Sequence, residues 1–84
     1  MNQPDPKEVI RQTKMFMEQH DLNAAKMKQI GKLAVEAIGS NQAYRTFRKN
    51  MIEAGYLSKN ELPAEKNYMV LMALGTMGET AGKV

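Results

Sequence analysis

Cysteine and tryptophan are missing from this 84-residue sequence, and His20 is its only histidine. Without cysteine there can be no disulfide, iron–sulfur cluster, thiol nucleophile or cysteine-ligated zinc. One histidine excludes a multi-histidine metal site within a single chain. Aromatic residues are scarce, at 6%. The longest apolar run, Tyr68 to Leu74, has seven residues, against about 20 for a membrane-spanning helix. The sequence does not open on a basic stretch followed by an apolar one, so no secretory leader is expected and a cytoplasmic location is. Period-two alternation and hairpin dipeptides such as Asn-Gly are also lacking, so no strand is expected.

What is present reads as globular: 43% apolar and 25% charged residues, outside the range of disordered chains. A domain of this size buries only about 60% of its unfolded surface. Its stability must come from good helix packing or from association with another chain. Eight methionines take the place of the missing aromatics as flexible core filler.

The spacing predicts four helices and an all-α compact bundle with short connections. Asp5-Pro6-Lys7-Glu8 is a helix start, and Val9, Ile10, Met15, Phe16 and Met17 follow on one stripe, giving helix 1 over about 6–19. Asp21 or Asn23 can cap helix 2. Its apolar line is Met27, Ile30, Leu33, Ala34, Ala37 and Ile38, and Gly31 within it suggests a close helix crossing. Gly39 is expected as a left-handed stop. Ser40 or Asn41 caps helix 3, with Tyr44, Phe47 and Met51 inward, and Gly55 ends it. Pro63 is expected to open helix 4, which would run to about Leu74. Residues 1–4 are expected to be a flexible N-terminus, 5–75 a single helical domain and 76–84 a flexible tail.

The net charge of +3 is unevenly spread. Residues 22–52 carry Lys26, Lys28, Lys32, Arg45, Arg48 and Lys49 against Glu36 alone, while the flanking segments are each slightly negative. Such a concentration attracts a polyanion or an acidic protein surface. Helix 2, the Gly39-Ser40-Asn41 connection and helix 3 form a helix-turn-helix-like hairpin. In the DNA-binding version of that hairpin the second helix enters the major groove and its first residues read base edges. Ser40, Asn41 and Gln42 could hydrogen-bond to bases, and Arg45, Arg48 and Lys49 could reach bases or phosphates. This segment resembles in part the motif of small phage-type repressors. With Ala34 in the small-residue position, Leu33, Ala37, Tyr44 and Phe47 take core positions. The turn glycine then comes one place late, at Gly39, with Ile38 in its slot.

The functional expectation is a small non-enzymatic regulator whose helix 2–helix 3 surface contacts nucleic acid. The alternative is a protein–protein interaction module, such as a small phage- or plasmid-type inhibitor, adaptor or anti-factor. That alternative draws on Tyr68 to Leu74, which is apolar all round a helix. Tyr68, Met69, Leu71 and Met72 are the expected dimer or partner interface, and a homodimer would suit a two-fold DNA site. No catalytic constellation is legible: there is no phosphate-binding glycine loop after a strand, no Ser–His–Asp spacing and no inward-facing carboxylate pair. No cofactor, metal, small-molecule substrate or membrane partner is expected. His20, at the end of helix 1, suits a helix C-terminus better than catalysis.

Overall fold

Short polar side chains decide where helices begin in this chain. In the computed structural model, which describes residues 5–84, Asp5, Asn23, Ser40 and Asn67 each accept a hydrogen bond from a backbone N–H two or three residues on. Each thereby satisfies a donor that the first helical turn leaves open. The helices that follow are α1 (Pro6–Gln19), α2 (Ala24–Gly39), α3 (Asn41–Glu53) and α4 (Tyr68–Thr80), with a final 3-10 turn at Ala81–Lys83. Among the described residues there is no strand. The fold is all-α. The expectation for residues 1–4 lies outside the described residues.

Two helix ends use the same stop. After α1, Asp21 takes a left-handed conformation (φ 54°). Its N–H donates to the Glu18 carbonyl while the Leu22 N–H donates to that of Met17. After α3, Gly55 (φ 79°) repeats the pattern, with Gly55 donating to Ile52 and Tyr56 to Met51. This is the Schellman arrangement. Beside it, the His20 ring stands edge-on between Phe16 (centroids 4.6 Å apart) and Tyr56 (5.4 Å), so it packs the α1 end against the α3 end.

The central helix is α2. Both α3 and α4 lie along it, and α1 packs on α4 and the final turn. Met27, Ile30, Ala34 and Ala37 of α2 are buried with Tyr44, Phe47 and Met51 of α3 and Leu71 and Leu74 of α4. Each large aliphatic or aromatic side chain so buried contributes about 1.5–3 kcal/mol. The buried Thr13 hydroxyl donates to the Val9 carbonyl at 2.7 Å, so it enters the core without an unmet hydrogen bond. The radius of gyration, 12.3 Å, matches the roughly 12 Å of a compact domain of this length.

Three local expectations are corrected. Gly39 is not a left-handed stop. It closes α2 in ordinary helical backbone, and Ser40 alone, extended at φ −147°, ends α2 and caps α3. Pro63 does not open α4. Ser58 and Glu61 cap one another reciprocally (2.9 and 3.2 Å) around a single turn, and the buried Leu57 and Leu62 pin the segment from Gly55 to Asn67 to the core. The chain cannot resume a helix until Asn67 supplies a cap. Finally, residues 76–84 are not a loose tail. Helix α4 continues to Thr80, and Gly75, Gly78 and Ala81 are buried.

Gly75 and Gly78 of α4 meet Gly31 of α2 at a close helix crossing. A methyl group on Gly31 would lie 2.7 Å from the Gly78 Cα and 2.9 Å from the Leu74 carbonyl oxygen. One on Gly75 would lie 2.8 Å from a Val35 methyl. At Gly31 the obstacle is backbone, which cannot give way, whereas at Gly75 the Val35 side chain would have to move. The expected close crossing at Gly31 is present, and its partner is α4.

Candidate functional site

The outward side of α3 is set by what its inward side must do. Tyr44, Phe47 and Met51 are buried against α2. At 100° per residue, Gln42, Arg45 and Lys49 then fall on the opposite side, and Asn41 falls on its flank beside Arg45. All four are exposed. Arg45 and Lys49 are one turn apart, and the two amides lie one turn before Arg45. Among the described residues the one ion pair is Arg11 with Glu8. Neither Arg45 nor Lys49 is therefore neutralised by an acid of its own chain, although Arg45 borders a cleft it shares with Glu65, Lys66 and Tyr68.

Arg48 has a different task. Its Nε donates to the Leu62 carbonyl at 2.5 Å, and the side chain is half-buried. One turn before it, the Tyr44 hydroxyl donates to the Pro63 carbonyl, also at 2.5 Å. Together they clamp the 62–63 segment onto α3. Burial holds the Tyr44 phenol above its ordinary range, and the neighbouring Arg48 charge opposes that only in part. Arg48 thus commits its Nε to the chain itself, while its charge and terminal N–H groups stay on the α3 flank. Ser40 is exposed, and its Oγ accepts from the Ala43 N–H at 3.1 Å, which leaves its O–H able to donate outward.

The α2 lysines do not extend the α3 face. Lys28 and Lys32 line a groove between α2 and α4, with Val35, Met72 and Glu79. Lys26, two positions before Lys28, points to the other side of the helix. The basic residues that cluster in sequence are therefore parted in space.

Helix α4 divides its apolar side chains in two. Leu71 is fully buried, which removes it from the expected interface. Tyr68, Met69 and Met72 are exposed, at 54%, 83% and 61%. An apolar segment that looked buried on all sides is covered on one side only, because α2 and not α4 occupies the centre. Sequence reasoning missed Val35, Gly75 and Gly78 as neighbours of this face. Their legible signal is a Gly-x-x-Gly spacing directly after an apolar run, with a glycine in the middle of another helix.

At the end of α2, the Lys66 ammonium donates to the Ile38 carbonyl at 2.9 Å. A cation there also meets the negative end of the helix dipole. Groups of three or more His, Asp or Glu placed to hold a metal ion do not occur among the described residues. No described helix is long and apolar enough to cross a membrane. Comparison with protein-family models, with curated proteins and with solved structures finds no match.

Proposed function

We propose that this protein is a small non-enzymatic binding domain whose α3 face contacts nucleic acid. The observation that carries the reading is the set Asn41, Gln42, Arg45 and Lys49: exposed, on one side of one helix, with both cations unpaired. Arginine and lysine at this spacing suit adjacent phosphates, and the amides suit base edges or sugar oxygens. The first turn of α3 contains no acid, so the positive end of its dipole adds to the attraction. The geometry departs from the DNA-reading hairpin in its link. One residue, Ser40, joins α2 to α3, where that motif uses a turn of three or four. The contact is therefore dominated by the phosphate backbone, with weak sequence preference.

The alternative occupant of this face is an acidic protein surface, which the same two cations would attract. Self-association belongs to the reading as well, since the exposed Tyr68, Met69 and Met72 give α4 an apolar side and paired copies suit two-fold sites. The test is an anisotropy titration of the full chain with a random-sequence DNA duplex at two salt concentrations. Binding should weaken steeply with salt, as released counterions require. Replacing Arg45 and Lys49 with alanine should remove it and leave the helical circular dichroism unchanged. Absence of binding at both salt levels would overturn the nucleic-acid reading. Equal binding to polyglutamate would transfer the face to an acidic protein.

A further inference from the structure

We infer that two copies of this chain meet through the α2–α4 face, related by a two-fold axis that sets the two α2 helices antiparallel. The inference rests on the self-association part of the reading above and is independent of nucleic acid.

Three observations carry it. The first is shape. Because Gly31, Gly75 and Gly78 have no side chains, α2 and α4 approach closely and leave an open groove of about 710 Å³ along their junction. The second is chemistry. Val35 and Met72 border the groove and stand 55% and 61% exposed, with Met69 beyond them on α4. Covering these side chains would remove apolar surface from water on a chain with so small a core.

The third is charge order, and it selects the occupant. Lys28, Lys32 and Glu36 follow one another at four-residue spacing on the α2 edge of the groove. Cations come first along the helix and the anion last. When a second α2 is laid antiparallel about a two-fold axis near residue 34, Lys32 of each copy faces Glu36 of the other, and Val35 flanks the axis. A parallel arrangement would set like charges opposite each other. Among the described residues, neither Lys32 nor Glu36 has an ion-pair partner within its own chain. The face is thus complementary to itself, as an isologous interface must be.

Charge reversal tests this directly, because Lys32 and Glu36 are exposed and the fold does not need them. Sedimentation velocity of the full chain over the micromolar range should show a dimer that dissociates on dilution. Lys32→Glu and Glu36→Lys should each weaken it by about tenfold, since every reversal acts at two symmetry-related contacts. Mixing the two variants should restore association, because each then supplies the charge the other needs. The chain carrying both changes should also dimerise like the original. A dimer indifferent to both single reversals would overturn this face and leave self-association standing elsewhere. A monomer throughout the range would overturn both.

Discussion

Gly31 of α2 and Gly78 of α4 sit with their α-carbons in contact, so that a methyl group on either would lie within 2.8 Å of the other's Cα. The crossing brings the two helix backbones together with no side chain between them. Backbone cannot yield as a flexible side chain can, so the site is intolerant of the smallest addition.

Glycine-to-alanine substitutions should accordingly split by position. Gly31→Ala and Gly78→Ala should each cost about 1–3 kcal/mol through overpacking, outweighing the gain of roughly 1 kcal/mol in helix propensity. Gly39→Ala has open space and helical backbone, and should stabilise by about 0.5 kcal/mol. Gly55→Ala has space but a φ of 79°, and should cost about 1 kcal/mol. Urea denaturation midpoints, at unchanged slope, measure all four.

The clamp of Tyr44 and Arg48 on residues 62–63 should make stability fall in alkali. The folded-state phenol titrates above its ordinary value of 10. The unfolded chain therefore ionises first as pH rises, and stability that is complete below pH 10 is lost progressively above it. Tyr44→Phe should cost about 1 kcal/mol at neutral pH for the missing hydrogen bond and should blunt the alkaline loss. Arg48→Ala should also destabilise, by about 1–3 kcal/mol, whereas Arg45→Ala and Lys49→Ala should stay within about 0.5 kcal/mol. Thermal melts at pH 7 and above pH 10 distinguish these outcomes.

Truncation after Gly75 should unfold the domain. It removes the buried Gly78 and Ala81, the half-buried Met77, and the last turns against which Met27 and Gly31 pack. Loss of the helical circular dichroism signal is the expected result. A truncated chain that kept its helicity and a cooperative melt would show that the crossing is dispensable.

The helices themselves were legible in the sequence wherever a cap and a periodic apolar stripe coincide. Asp5-Pro6 began α1 and Gly55 closed α3, and Asn23 and Ser40, each one of two caps the sequence offered, began α2 and α3, because capping and left-handed stops depend on groups only a few residues apart. The inward set of α3, Tyr44, Phe47 and Met51, follows from the same local periodicity, and so does the outward placement of Arg45 and Lys49. Only the tertiary structure decided the rest. Gly75 and Gly78 look like a frayed end until Gly31 lies against them from a helix some 45 residues earlier in the chain. Arg48 looks like a free cation until the Leu62 carbonyl arrives beside it. Leu71 and Met72 are neighbours of like hydropathy, and one is buried and the other exposed because α2 took the centre. Local order is set by interactions within a helical turn, which a sequence displays. Which face meets which is set by packing between distant segments, where volume and backbone approach decide and composition does not.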